Sequence, residues 1–121
     1  MAVSIADLIA KKEDIAKGKK AQYDIETSVG TLTVKKPTQS FISEMLALKE
    51  KQDEYLILNM VVEPDLRDTQ LQKTYECLEP TDIVGRLFDG GEIVAISKAI
   101  MKTAGYNSEE LQVKLHDTVK N

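Results

Sequence analysis

The chain is poor in several residue types, and each scarcity excludes a class of protein. A single cysteine, Cys77, rules out an intrachain disulfide framework and fits a reducing compartment such as the cytoplasm. A single histidine, His116, cannot supply the paired imidazoles of a zinc site and is interpreted as a surface residue. Tryptophan is absent and aromatic residues make up 5% of the chain, so a core must consist mainly of Leu, Ile, Val and Met.

Long apolar runs are also missing. The longest, from Tyr55 to Val62, is interrupted by Asn59 and is far shorter than the roughly 18 residues that span a bilayer. In the N-terminal stretch MAVSIADLIAKKEDIAKGKK, Asp7 interrupts the apolar residues and the lysines follow them, whereas a signal peptide has its positive charges first. The sequence therefore predicts neither a membrane span nor a signal peptide.

Basic residues are fewer than acidic residues and are unevenly distributed along the chain. The chain has 16 Lys and Arg against 20 Asp and Glu, a net charge of −4. Residues 1–37 hold seven lysines and five acids, a net of +2, and residues 38–121 hold nine basic and fifteen acidic residues, a net of −6. An acidic chain does not favour a nucleic-acid partner, whereas opposite charges on the two parts favour head-to-tail contact between copies.

What remains is the composition of one small domain, predicted to cover residues 1–121. Hydrophobic residues make up 42% of the chain, enough for one modest core. Ser4 and Asp7 form a capping-box pattern for a first helix, which Gly18 is expected to end. The apolar side of this helix comprises Ile5, Leu8, Ile9 and Ile15.

Alternating polarity then replaces the helical period. In QYDIETSVGTLTVKK the side chains alternate on both sides of a Ser-Val-Gly turn, which predicts a β-hairpin from Gln22 to Lys36. A lone hairpin is marginal in water, and its unpaired edges can pair with another copy. The hairpin thus predicts self-association through the N-terminal region; the alternative is a monomer in which a helix covers the edge.

Helical spacing returns after the hairpin. The expected N-caps are Thr38, Asp68 and Thr81, and Gly105 is expected just beyond the end of a helix. The segment from Tyr55 to Val62 fits a buried helix better than a strand. One broad apolar face comprises Phe41, Ile42, Met45, Leu46 and Leu48. The sequence therefore predicts a mainly α protein with an N-terminal β-hairpin, a small α+β fold built as a compact bundle of short helices, whose ends, residues 1–20 and 107–121, are expected to be flexible.

The stretch LEPTDIVGRLFDGGEIVAISKAI, from Leu78 to Ile100, has the outline of a helix–turn–helix. A DNA-reading second helix needs polar or basic residues near its start and cations for phosphate. This helix begins with Glu92 and apolar residues, so DNA reading is disfavoured. We predict two core helices that meet at a tight corner, Asp89-Gly90-Gly91, which would be strained by a β-branched residue if either glycine needs positive φ.

No motif in the sequence predicts catalysis or cofactor binding. Cys77 lacks a CxxC companion and is interpreted as a small core residue. The acids of the C-terminal half do not match the spacing of a calcium loop and suit turns and helix caps instead. These acids are Asp65, Asp68, Glu76, Glu79, Asp82 and Asp89. We therefore expect a protein that is not an enzyme and binds no metal or cofactor.

Two segments of the sequence carry a resemblance to a known family. VVEPDLRD (Val61 to Asp68) and LEPTDIVGRLFDGGEIVAISKAIMKTAGY (Leu78 to Tyr106) give a hydrophobic strip, a Pro-Asp-Leu turn, a Leu-Phe-x-x-Gly-Glu-Ile helix start and a Gly-aromatic end. In these segments, and in KPTQSFISEM, the chain resembles the XkdN-like tail assembly chaperones of contractile-tailed phages and PBSX-type prophages. The resemblance covers most of residues 20–106.

The resemblance implies a noncatalytic chaperone that acts on the tape-measure protein before the tail tube polymerises, in the cytoplasm of the bacterial host, and is absent from the mature virion. Other tail proteins are possible partners, and no membrane partner is expected. The alternatives are a structural tail or head–tail component retained in the particle and, less favoured, a DNA-binding regulator. Adaptable Met and Leu surfaces suit an apolar client, although each such residue could instead lie in the core. The candidate partner-binding residues are Met45, Met60, Leu66, Leu87, Phe88 and Met101.

Overall fold

The computed structural model describes residues 2–106. Within this part of the chain, seven helices accompany a three-stranded antiparallel sheet, and the hairpin lies near the N-terminus, so the predicted small α+β fold is confirmed. In chain order the elements are α1 (Ile5–Ala10), α2 (Lys12–Lys19), β1 (Gln22–Thr27), β2 (Gly30–Lys35), α3 (Gln39–Leu46), α4 (Gln52–Met60), β3 (Val61–Glu63), α5 (Thr69–Thr74), α6 (Asp82–Leu87) and α7 (Gly90–Thr103). His116 lies outside the described residues.

Residues 4–20, here called the N-terminal arm, form two short helices instead of one. The predicted capping box is present: the Ser4 hydroxyl accepts from the backbone N–H of Asp7, and the Asp7 carboxylate accepts from that of Ser4, each at 3.1 Å. Lys11, at φ −91° and ψ 4°, separates α1 from α2. Gly18 does not end the helix as predicted, because α2 continues through it to Lys19. No residue of α1 or α2 is buried.

The sheet contains the predicted hairpin and one strand that was not predicted. β1 and β2 pair from Gln22↔Lys35 to Thr27↔Gly30. The segment from Tyr55 to Val62 was predicted as a helix, but α4 ends at Met60 and the chain continues as β3, antiparallel to β2. The β-branched pair Val61-Val62 favours an extended backbone at this point. The sheet order is β1-β2-β3, so the hairpin gains a strand partner within its own chain.

Two of the three predicted N-caps are confirmed. Thr38 accepts a hydrogen bond from the backbone N–H of Phe41 at 3.0 Å. Asp68 accepts one from that of Leu71 at 2.9 Å. The prediction for Thr81 was wrong, because its backbone is already helical and its side chain caps nothing in α6.

The glycine corner between α6 and α7 was also predicted wrongly. Gly90 and Gly91 are the first residues of α7, neither has positive φ, and a Cβ atom at either position would meet no atom within 4 Å. The chain turns instead at Phe88 and Asp89, which are extended. The predicted end of α7 is confirmed, since Gly105 has φ +89° and the N–H of Tyr106 bonds to the carbonyl of Met101, a Schellman motif.

The buried hydrophobic residues form one cluster in which α4, α6 and α7 pack together under the sheet. Five residues of these helices are fully buried: Leu56, Ile57, Ile83, Val84 and Ile100. Each lies on the inward face of its helix, as the helical period requires. Val34 and Leu32 contribute from β2, and Val61 contributes from β3. The core therefore fixes the relative positions of the hairpin, α3 and the end of α7.

Candidate partner-binding surface

Three acidic residues of the C-terminal half, Asp65, Asp68 and Asp82, serve the structural roles predicted for them, whereas Asp89 precedes α7 without a side-chain cap bond. Asp82 accepts hydrogen bonds from the backbone N–H groups of Glu79 and Leu78, at 3.1 and 2.9 Å, and these bonds lower the pKa of its carboxyl. Asp65 accepts from the N–H of Arg67 at 3.0 Å. Within residues 2–106, no group of three or more His, Cys, Asp or Glu could hold a metal ion.

The α6–α7 pair consists of core helices. Ile93, Ile96 and Ile100 of α7 are buried. Glu92, the acid at the start of α7, binds the hairpin turn, where its carboxylate accepts from the hydroxyl of Ser28 at 2.6 Å and from the N–H of Ser28 at 2.7 Å. These two bonds hold the pKa of the Glu92 carboxyl below its ordinary value. The side chain that would start a DNA-reading helix therefore fixes the hairpin to α7.

The six candidate partner-binding residues divide by burial. Leu87 and Met101 are half-buried and pack against the core cluster, so each retains accessible surface. The other four are buried and have at most 5% exposed surface; they are Met45, Met60, Leu66 and Phe88. A partner can reach these four only where they line a depression, and one of them, Met60, does so.

Two adjoining depressions, here called the basic groove, lie beside the hairpin, with volumes of about 390 and 360 Å³. Phe41 and Met60 line the larger depression, and Tyr106 and Ala104 line the smaller. Four lysines line the groove, and none of the described residues lining it is acidic; the lysines are Lys19, Lys20, Lys35 and Lys36. The groove therefore combines apolar side chains with positive charge.

Local structure explains how the groove forms. Lys19 and Lys20 are at the C-terminal end of α2, where the helix dipole favours cations. Hairpin pairing brings the end of β2 beside them, since Gln22 lies opposite Lys35. Phe41 is set by the Thr38 cap and stacks on Tyr55, with ring centroids 5.1 Å apart and planes 6° apart.

A second surface, here called the acidic face, consists of residues 44–54 and 76–82. These segments hold seven acids and two lysines, a net charge of −5. One of the acids, Asp53, is half-buried against Ser97, and Arg86 adds a positive charge beside the second segment, where it donates to the carbonyl of Glu76. Lys51 connects them, with its ammonium 3.5 Å from Glu79 and 3.6 Å from Asp82, and the Glu79 charge contributes most to raising the pKa of Lys51. Gln52 holds the preceding loop by donating to the carbonyl of Leu48 at 2.8 Å.

Exposed leucines accompany these charges on the acidic face. Leu78 is 96% exposed and Leu46 is 60% exposed, although Leu46 belongs to the apolar pattern predicted for α3. Leu48 also retains access to solvent and, with Tyr55, lines a shallow depression of about 230 Å³. The acidic face therefore offers both apolar and negatively charged groups to a partner.

The sequence contains a signal for the basic groove, although none of the candidate partner-binding residues is a lysine. The lysine pairs 19–20 and 35–36 flank the predicted hairpin, and the two ends of a hairpin must lie side by side. The exposed leucines had no comparable signal, because helical periodicity gives the direction of a side chain but not what covers it.

No helix within residues 2–106 combines the length and the apolar character that crossing a membrane requires. A search of curated proteins finds no match, and neither does a search of solved structures.

A sequence model described as phage XkdN-like tail assembly chaperone protein matches residues 48–118. The match contains both long segments that carry the resemblance, begins after KPTQSFISEM and extends beyond Tyr106. It covers more than half of the 121 residues. The chain therefore belongs to the phage XkdN-like tail assembly chaperone family.

Proposed function

We propose that this protein is a noncatalytic chaperone that binds the tape-measure protein before the tail tube polymerises, and that the basic groove receives the client. Family membership supports a role in tail assembly, and the observation that carries the choice of site is the pairing of apolar side chains with four lysines. A tape-measure protein is expected to be long, helical and apolar along its faces, and such faces aggregate when they stay exposed. A chaperone needs a surface that covers them.

The groove suits a client segment with apolar and acidic residues on one side. Phe41 and Met60 would contact the apolar side chains, and Met60 can adjust to different shapes because its side chain is unbranched. Lysines around the groove would attract Asp or Glu of the client and speed association. Leu87 and Met101 retain access for further contacts, whereas Met45, Leu66 and Phe88 would require the core to open.

The experiment that tests this proposal is co-expression of the chain with the tape-measure protein, followed by affinity purification through a tag on the chain. The expected result is a stable complex and a larger soluble fraction of the tape-measure protein. A tail tube protein co-expressed in the same way gives the specificity control. Failure to recover the tape-measure protein, with its soluble fraction unchanged, would contradict the proposal.

We also propose that the chaperone acts in the host cytoplasm and leaves before the particle is finished. Mass spectrometry of purified particles distinguishes this from a structural tail component. The chaperone proposal predicts no stoichiometric copies of the chain in the particle, whereas a retained component would be abundant there. A DNA titration at low salt tests the regulator alternative, for which specific binding should weaken steeply as salt is added.

A further inference from the structure

The outer strand of the sheet, β1, has an edge that pairs with no strand in the described part of the chain. Within residues 2–106 the sheet order is β1-β2-β3, so β2 is the only strand beside β1. The six residues of β1 give this edge a length of about 20 Å, at 3.3 Å per residue. An edge strand presents unpaired N–H and C=O groups, which are a template for a further strand.

The hairpin register shows which backbone groups point towards this open edge. In an antiparallel pair, hydrogen-bonded pairs alternate with non-hydrogen-bonded pairs, whose side chains are closer together. Asp24 lies opposite Thr33, whose hydroxyl donates to the Asp24 carboxylate at 2.9 Å. Glu26 lies opposite Thr31, whose hydroxyl donates to the Glu26 carboxylate at 2.8 Å. Both are therefore non-hydrogen-bonded pairs, and the backbone N–H and C=O groups of Asp24 and Glu26 point away from β2.

Side chains along β1 alternate between acidic and apolar. Asp24 and Glu26 are exposed on the solvent side of the sheet, and Ile25 packs partly against the core cluster on the other side. Tyr23 lies on the same side as Ile25 and keeps 38% of its surface exposed. Each carboxylate can accept more bonds than its threonine supplies. An added strand would therefore meet two negative charges on one face of the sheet and apolar side chains on the other.

We infer that β1 pairs, antiparallel, with an extended segment of another protein that carries Lys or Arg at alternate positions and β-branched apolar residues between them. In strand addition, main-chain hydrogen bonds give affinity and the alternate side chains give specificity. The basic residues would lie beside Asp24 and Glu26, and cross-strand pairs of opposite charge are favourable. This inference concerns the sheet edge and does not depend on client binding in the basic groove.

The same two acids disfavour a second copy of β1 at this edge. Two β1 strands paired antiparallel about Ile25 would place Asp24 of each copy opposite Glu26 of the other, and like charges directly opposite are destabilising. The other edge of the hairpin is occupied, because β2 pairs there with β3. The open edge therefore suits a basic strand of another protein better than a second copy of the chain.

A synthetic peptide tests the inference on the full chain. The probe is a capped seven-residue peptide of alternating valine and lysine, titrated to millimolar concentration and followed by NMR measurement of amide hydrogen exchange. In the free chain the N–H groups of Asp24 and Glu26 should exchange fast, because nothing protects them. Bound peptide should slow their exchange, because both groups would then donate to it. A control peptide with the same lysines and valines grouped in two blocks should bind more weakly.

Two further changes distinguish strand pairing from simple charge attraction. Methylation of the backbone nitrogens of the peptide lysines keeps every charge but removes the donors that face β1, so binding should weaken at least about tenfold. In the chain, Asp24→Asn with Glu26→Gln removes both charges and keeps acceptors for the threonines, so binding should weaken about threefold to thirtyfold. The matched control, Glu13→Gln with Asp14→Asn in the exposed helix α2, should bind as the wild type does.

Five results would overturn the inference. The first three are no binding at millimolar peptide, binding that leaves the exchange of Asp24 and Glu26 unchanged, as a peptide held on the acidic face would, and equal binding of the methylated peptide. The fourth is equal binding by the wild type and by the variant Asp24→Asn with Glu26→Gln. The fifth is slow exchange of the two N–H groups in the free chain, which would mean that the edge is already covered.

Discussion

The N-terminal arm and the α4–α7 core use the same apolar residue types, but only the core buries them. Ile57 in α4 is fully buried, whereas Ile9 in α1 is 70% exposed. Both residues belong to helices with an apolar side, so amphipathic spacing alone cannot distinguish a helix that forms the core from one that awaits a partner. In this protein the core helices bury their apolar side chains and hold the fold together, whereas the helices of the arm leave theirs accessible to a partner.

Truncation of an isoleucine should give the largest difference in stability between the two regions. Ile57→Ala removes buried methyl groups and leaves a cavity, so the free energy of unfolding should fall by about 2–5 kcal/mol. Ile9→Ala is the matched change in the arm and should alter it by no more than about 0.5 kcal/mol. Urea denaturation measures both. Similar losses for the two variants would mean that the arm packs into the folded structure.

A hydroxyl deletion tests the polar contact between α4 and α7. The buried Ser97 donates to the Asp53 carboxylate at 2.6 Å. Ser97→Ala should lower the free energy of unfolding by about 1.5–3 kcal/mol, because the lost bond has a charged acceptor. Ser43→Ala, at an exposed position of α3, serves as the control and should change little. Equal behaviour of the two variants would contradict a role for this bond in joining the helices.

Glycine replacements test the backbone conformation at the two ends of α7. Gly105 has φ +89°, which is unfavourable for other residues, so Gly105→Ala should reduce stability by about 1 kcal/mol. Gly91 is helical and has open space around it, so Gly91→Ala should raise stability by a few tenths to about 1 kcal/mol. Thermal melting compares them. A lower melting temperature for Gly91→Ala would restore the tight corner predicted from the sequence.

The smallest expected effect is a change in pH dependence. The folded pKa of Glu92 lies below the ordinary value, so its bonds to Ser28 stabilise the fold above the unfolded pKa, and this contribution disappears as pH falls through the folded pKa. Glu92→Gln should lower stability near pH 7 and flatten the loss of stability on the acid side of pH 4.5, the reference value for this carboxyl. Glu63→Gln, at an exposed residue, should keep the wild-type profile. Parallel profiles for wild type and Glu92→Gln would refute the assignment.

Local signals predicted much of the fold. The hairpin, the capping box at Ser4, the caps at Thr38 and Asp68 and the αL glycine at Gly105 each depend on a few neighbouring residues. Short stretches of sequence therefore determine the geometry of these elements. These elements account for the correct fold class.

The predictions that were wrong concern segments whose structure depends on contacts with a distant part of the chain. β3 forms because Val61 meets Val34 of β2, and α4 therefore ends sooner than its apolar run suggests. Glu92 binds Ser28, which is 64 residues away, and no local pattern encodes that contact. The candidate partner-binding residues were chosen by type, and most belong to the core because the same residue types form cores and adaptable surfaces.

Affinity of the purified chain for a tape-measure segment, measured by calorimetry, tests most directly whether the basic groove receives the client. Lys19→Glu with Lys36→Glu reverses two charges of the groove, and Lys73→Glu with Lys98→Glu makes the same change in net charge at exposed positions that line neither depression of the groove. If the groove receives the client, the groove variant should bind at least about tenfold more weakly than the wild type, and the control variant should stay within about threefold of it. Equal weakening of the two variants, or unchanged binding by the groove variant, would contradict it.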